Sequence, residues 1–340
     1  MLILLGGCIS TESVHVDVTR LNSGQPIIDG AFGGNINGPS VIRVPDWISP
    51  ASRPDPQAIY YMYFASHIGT HIRMAWAQDI QGPWHIYNNG GGVLALDRNT
   101  RIGNGILLKG HVASPDVTVD NANKSIVMYF HAPATVDGVD VGQKTFAASS
   151  DDGLDFNGRI RPVIIGSSYF RVFQNNGSTY AVSRGGQLHK APAGLGFPES
   201  LWATRQDNPF QTSLDAAGLS NVTLRHAAVI AAGSTLYVFY SRIGDSPERI
   251  LMSTMDLSTG DYNNWTLTHP PVEILRAEMP WEGSDIAPQK STEGSAPEHV
   301  NQLRDPYIFK DSDGKTYLFY CGAGEEAIGV AEIHIKKKLL

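Results

Sequence analysis

Ten charged or imidazole side chains recur at matching places along this chain. Asp116, Arg171, Arg225, His226, Arg304 and Asp305 stand near the starts of β-like runs, and His67, His131, Arg184 and Arg242 at the ends of the runs that follow. Asp116, Asp305 and His226 have the chemistry to take, give or stabilise a proton, imidazole titrating near neutral pH. Arg171, Arg184 and Arg242 suit bidentate binding of carboxylate or sulfate. Such groups are seldom buried unless paired or functional. Gathered in one cleft they shift one another's pKa values, which marks a functional site. A further carboxylate, Glu282, follows a tryptophan in the loop Pro280-Trp281-Glu282-Gly283.

The elements that must position these groups are hairpins. In His111 to His131, Val117 and Val119 alternate with polar neighbours, as in a half-buried strand. Asp120-Asn121-Ala122-Asn123 supplies turn chemistry, and Ile126 to Phe130 returns as a β-branched and aromatic run. Asp116 and His131 therefore belong at one end of this hairpin. The unit recurs from Gly38-Pro39 to His67, from Tyr169 to Arg184, from Arg225 to Arg242 and from Arg304 to Tyr320. Each copy has a third strand after it, while a fourth is hard to see. Five such copies predict an all-β, five-bladed β-propeller, in which all ten groups ring one mouth on the axis. We place the propeller at 31–335, with 1–30 as an N-terminal segment whose opening residues are a candidate for closing the ring, and Ile333 to Leu340 as a solvated tail.

Composition narrows the function. The net charge of −7 argues against a nucleic-acid partner, which wants a basic face. No apolar run of about 20 residues predicts a membrane span. Two cysteines exclude a disulfide framework, and Cys321 reads as a small buried hydrophobe. Leu5-Gly6-Gly7-Cys8 is similar to a bacterial lipoprotein lipobox, which would place the protein in the periplasm or outside the cell, lipid-anchored through Cys8. Met1 to Leu5 is shorter than the usual apolar region of about 7–15 residues, and no basic stretch precedes it. The other reading is an ordinary apolar strand, with a cytoplasmic location left open.

Ser114-Pro115-Asp116-Val117, Arg304-Asp305-Pro306 and Gly82-Pro83-Trp84, set in this repeat, resemble the five-bladed propeller glycoside hydrolases: the arabinanase/β-xylosidase, invertase and α-neoagarobiose hydrolase groups. The resemblance implies a secreted, polysaccharide-degrading hydrolase that needs no cofactor. Two departures stand out. Arg-Asp-Pro sits in a middle blade of the invertase group and in the last blade here. The arabinanase group opens blade 1 with a catalytic aspartate before proline, where this chain has Gly38, with Asn35 and Asn37 nearby.

Glycoside cleavage needs a proton donor for the leaving oxygen and a group that activates water or attacks. The expected carboxylates are Asp116 and Asp305. His226 is the expected acid, since the resembling neoagarobiose hydrolases are thought to use a histidine, and Glu282 is the runner-up. His67, His131, Arg171, Arg184, Arg225, Arg242 and Arg304 are expected to bind substrate. The arginines favour an acidic sugar, a closed ring of charges favours exo-action, and groups on different blades across a funnel suit the wider spacing of about 6.5–9.5 Å that inversion uses. His226 also reads as a core histidine, or as an axial ligand of water or a structural Ca²⁺. His67 and His131 lack a third ligand for zinc. Glu325 and Glu326 read either as mouth residues or as exposed ones. A non-catalytic sugar-binding propeller and a lyase on uronic sugars are the rival functions. Oligomeric state is not legible.

Overall fold

The computed structural model describes residues 12–192, 200–296 and 298–339. Five antiparallel sheets follow one another along the chain. Blade 1 comprises Asn37–Arg43, Tyr60–Ala65, His71–Ala77 and His85–Ile86, with Leu94–Ala95 added to its third strand. Blade 2 comprises Ala113–Asp120, Ser125–Val136, Val139–Ser150 and Gly166–Ser167, extended by a small hairpin at Thr100–Gly103 and Ile106–Leu108. Blade 3 comprises Arg171–Asn175, Ser178–Val182, Leu188–Lys190 and Ala203–Thr204, and blade 4 Thr223–Ala232, Thr235–Ile243, Ile250–Asp256 and Val272–Leu275. The fourth strands of blades 1 to 4 run only two to four residues, too short to print a period-2 pattern.

Blade 5 comprises Arg304–Lys310, Thr316–Gly322 and Ala327–Leu339, and its outer strand is Glu12–Arg20, from the other end of the chain. This corrects two expectations. The Lys-rich end is no solvated tail: Glu332 to Leu339 pair residue by residue with Glu12 to Thr19, and Lys336 forms an ion pair with Asp17. A boundary at residue 31 would separate this outer strand from its own sheet. Cys8 lies outside the described residues.

The ring closes because both faces of each sheet are covered. Along Tyr60–Ala65 successive side chains point to opposite faces. Tyr61 and Tyr63 pack with Met128 and Phe130 of blade 2, and Met62 and Phe64 with Phe319 and Val330 of blade 5. Apolar clusters of the same kind join blades 2 and 3, 3 and 4, and 4 and 5. Each fully buried aromatic contributes about 1.5–3 kcal/mol by leaving water, so these seams dominate the stability of the ring.

The innermost strands of blades 1, 2, 4 and 5 share one irregularity that blade 3 lacks. Their register with the second strand breaks between Asn37 and Ser40, opposite Tyr129/His131 in blade 2, between Leu224 and Ala227, and between Arg304 and Tyr307. A bulge bends a strand and re-aims its side chains, and bulges concentrate beside active sites. The residues re-aimed are Gly38-Pro39, Ser114-Pro115, Arg225-His226 and Asp305-Pro306.

Candidate active site

The bulges split the axial side chains into two layers. Register places Ser40, Asp116, Ala227 and Tyr307 at one level, opposite Tyr63, Tyr129, Tyr240 and Phe319. Arg171 fills the axis here. Its Nη1 donates to Pro115 O at 2.9 Å and its Nε to Ala227 O at 3.1 Å, while its guanidinium lies 5.6 Å from the Tyr307 ring and 3.9 Å from Asp116. Asp116 accepts from the Val172 N–H at 2.7 Å. One arginine from blade 3 thus ties four blades together.

At the second level a small space remains, lined by Asn37, His67, His111, Ala113, Ser114, Tyr169 and His226. Its volume of about 10 Å³ is the room that one water needs. Two of its imidazoles are backed by carboxylates. His226 Nδ1 lies against Asp305 Oδ1, and Asp305 Oδ2 accepts from the Gly38 N–H at 3.2 Å. On the other side His67 Nδ1 meets Glu325 Oε2 at 3.1 Å, and that oxygen also accepts from Asn35 at 2.9 Å and Asn37 at 3.3 Å. The ionised Glu325 carboxylate only accepts hydrogen bonds, so the His67 Nδ1 carries a proton towards it and Nε2 is left for other partners. Tyr169 lies between His131 and His226, with ring centroids 4.2 and 4.5 Å away.

The electrostatics separate the two pairs. Burial first, then the guanidiniums of Arg225 and Arg171, pushes the His226 imidazole well below its ordinary pKa, so it is neutral. Burial works on His131 in the same direction, helped by His111 and His67. Burial alone would raise the Glu325 carboxyl, but the His67 bond and the Arg304 guanidinium bring it down to about 2. Asp305 adopts a left-handed φ of 48°, as do Ser114 at 48° and Tyr169 at 65°. That conformation costs a non-glycine residue about 1–3 kcal/mol and persists where surrounding structure imposes it, often at functional sites.

No family model matches the sequence. It is 36% identical over 306 residues to "Uncharacterized protein R118" of Acanthamoeba polyphaga mimivirus, covering 88% of this chain and 83% of the relative. The chain belongs to the family of that mimivirus protein. Solved structures extend the likeness at the level of fold. A glycosyl hydrolase from Bacteroides ovatus superposes with TM-score 0.59 at 11% identity, over 93% of each chain. An α-L-arabinofuranosidase from Lactobacillus brevis gives 0.54 at 12% identity, over 90% of this chain and 92% of the other. The GH43_1 enzyme from Xanthomonas citri complexed with xylose gives 0.54 at 15% identity, over 92% and 90%. This member of the mimivirus family has the five-bladed propeller fold of those glycoside hydrolases.

The propeller brings together only part of the expected set. Asp305, His226, His67 and His131 meet at the mouth, as the repeat implied. Asp116 does not join them: its carboxylate belongs to the Arg171 layer. The sequence reading aligned it with Asp305, whereas register aligns Asp305 with Gly38 and Ser114. Glu282 is placed elsewhere, fully enclosed between blades 4 and 5. There it accepts from Arg20 at 2.8 and 2.9 Å, from Tyr320 at 2.7 Å and from the Glu278 and Met279 N–H groups.

Most of the expected arginine binders have protein partners. Arg225 pairs with Glu248 at 2.8 Å and Arg242 with Asp245 at 3.0 Å. Arg304 pairs with Glu325 at 3.1 Å, and Arg184 reaches Glu293 on the exposed rim. Sequence reasoning left Glu325 undecided and missed His111 and Tyr169. The signal for Glu325 was its place just beyond the second strand of blade 5, as His67 stands just beyond that of blade 1.

The expected axial Ca²⁺ does not fit these residues. Calcium takes about six to eight oxygen ligands. Here the axis holds the Arg171 guanidinium, and Arg225 and Arg304 act with it on the His226 imidazole. No group of three or more His, Cys, Asp or Glu among the described residues is arranged to hold a metal.

Proposed function

We propose that this propeller hydrolyses a glycosidic bond of an oligo- or polysaccharide with inversion at the reacting carbon. The observation that carries the reading is the pair of imidazoles, each fixed by a buried carboxylate, facing one water-sized space. Neutral His226 takes a proton through Nε2 from the water in that space. The water oxygen bonds to the anomeric carbon as the bond to the leaving oxygen breaks, and His67, reacting as the imidazolium beside the Glu325 carboxylate, gives its Nε2 proton to that oxygen and is left neutral. Asp305 and Glu325 are positioning residues that hold the Nδ1 side of each ring, so that Nε2 is the nitrogen left to exchange a proton. The arrangement differs from the usual pair of reacting carboxylates, and it supplies the base that Gly38 does not. The sugar itself lies above the water, in the recess lined by Phe32, Ser66 and Arg73. The segments Ala31–Gly34 and Asn89–Gly90 wall that recess, which supports binding of a chain end and so exo-action.

Incubation with acidic and neutral oligosaccharides tests this. Reducing sugar appears, and proton NMR of the first product shows the anomer opposite to that of the substrate. His226→Ala and Asp305→Asn each lower kcat by about a hundredfold or more, the scale of a lost general base. Asp305→Asn also shifts the acidic limb of the pH profile at unchanged KM. An unsaturated, ultraviolet-absorbing product would replace the reading with a lyase. Tight sugar binding without any product would replace it with a lectin.

A further inference from the structure

Six arginines are buried among the described residues: Arg73, Arg171, Arg205, Arg225, Arg242 and Arg304. Five of them lie within 4.0 Å of a carboxylate. Arg73 does not, although it is only 5% exposed. Its hydrogen bonds go to neutral carbonyls: Nη1 to Phe32 O at 2.9 Å, and Nη2 to Asn35 O at 2.7 Å and Ala65 O at 2.6 Å. Its guanidinium lies over the Phe64 ring at 4.7 Å. A guanidinium has five N–H donors, so these three bonds leave donors over. Burial draws the Arg73 pKa down to about 10, the mark of a cation without a counter-charge.

Arg73 borders a recess of about 610 Å³, also lined by Gly33, Gly34, Ser66, Gly69, His71 and Asn89. Among the described residues no carboxylate lines it. His71, its other titratable side chain, is held below its ordinary pKa by burial and then by Arg73 itself. The recess adjoins the mouth: Ser66 precedes His67, the Gly69 carbonyl lies 3.0 Å from His111 Nδ1, and Gly34 precedes Asn35, which bonds Glu325. Gly33 is required for this geometry. It has φ +105°, and a Cβ there would lie 2.6 Å from Arg73 Nη1.

We propose that the recess over Arg73 is a subsite for an anionic substituent, a carboxylate or a sulfate ester, on the sugar whose glycosidic bond lies at the axis. An uncompensated buried cation is unfavourable, and a bound anion supplies the missing partner through charge-assisted hydrogen bonds. The inference rests on the glycosidase reading and names its substrate class as acidic sugars. The arginines that the sequence offered for this purpose are mostly neutralised within the protein, and Arg73 takes their place.

The test is calorimetric and independent of turnover. Galacturonate and glucose 6-sulfate are titrated into the full chain, with galactose and glucose as neutral counterparts. At least one anionic sugar binds about tenfold or more tightly than its neutral counterpart, the scale of one charged hydrogen-bonded contact. Binding of galacturonate alone identifies a uronate, and of glucose 6-sulfate alone a sulfate ester. Gly34 has ordinary φ and open space around a Cβ, so side chains there leave the fold intact. Gly34→Glu abolishes the anionic preference, whereas the uncharged Gly34→Gln keeps it. Equal affinity for anionic and neutral sugars, or equal effects of the two Gly34 variants, overturns the subsite. Hydrolysis of neutral substrates without anionic preference overturns it and leaves the glycosidase reading standing. Anionic binding without hydrolysis does the reverse.

Discussion

Replacing Glu325 by Gln isolates the charge that organises one side of the mouth. The carboxylate is 2% exposed and accepts from Arg304, His67, Asn35 and Asn37. Glutamine has the same shape, but its amide nitrogen must face one of these donors. Removing one partner of a buried ion pair costs about 3–5 kcal/mol. A second route gives a similar figure. The His67 bond and the Arg304 guanidinium hold the folded carboxyl at about 2 against an ordinary value of 4.5, a difference worth about 3 kcal/mol. Because the folded value is the lower one, this stability is complete above pH 4.5 and disappears as pH falls towards 2. By about pH 3 less than half of it remains. Urea unfolding of Glu325→Gln and the parent at pH 7 and pH 3 measures both quantities. The variant is less stable by about 3 kcal/mol at pH 7, and the gap narrows by about 2 kcal/mol at pH 3. A gap below about 1 kcal/mol at pH 7, or one independent of pH, would refute the ionised, buried Glu325 described above.

Two further substitutions probe residues that the sequence put in doubt. Gly38→Asp restores a carboxylate before Pro39, yet φ is +61° and a Cβ would lie 3.1 Å from the Ser114 Cα. It should lower the melting temperature, at a cost of about 1–3 kcal/mol, and raise no activity; a more active variant would show that blade 1 still accepts the base. Glu282→Gln breaks the bonds to Arg20 and Tyr320. It should destabilise by about 3–5 kcal/mol in thermal unfolding while kcat per folded molecule is unchanged, and a lost kcat at full stability would return Glu282 to the site.

The fold was legible because its repeating unit is a hairpin with both faces buried, and runs such as Tyr317–Cys321 announce themselves by apolar content alone. The outer strands were not, since two residues such as His85–Ile86 show no period, and the Glu12–Arg20 strand finds its partner more than 300 residues away. Within the site, residue type located the groups but not their height. Ser114-Pro115-Asp116 and Arg304-Asp305-Pro306 read as the same motif shifted by a residue or two. Only the register across the bulges shows that Asp116 faces the Arg171 layer while Asp305 faces His226. Arg73 was invisible for another reason. It lies mid-strand, opposite Phe64, among apolar residues, and its importance comes from a carboxylate that is not there.

The position of Asp305 also explains how blade 1 manages with Gly38. In a closed five-membered ring the last blade abuts the first, so a side chain from the equivalent position of blade 5 reaches the same axial space from the other side of the seam. Asp305 does this, and its Oδ2 accepts from the Gly38 backbone itself. A side chain on residue 38 would meet the Ser114 backbone, so the bare glycine leaves room at the bulge beside Ser114. The strained φ of 48° at Asp305 is imposed by the bulge that turns the carboxylate towards His226. Asp305 and His226 come from consecutive blades, whereas the Asp305–Gly38 and Glu325–His67 contacts cross the seam between blades 5 and 1 and exist only when the ring is closed. Closure depends on the Glu12–Arg20 strand bonded along Ala327–Leu339. The seam-crossing contacts of the mouth and the joining of the strands at residues 12–20 and 327–339 are one structural event.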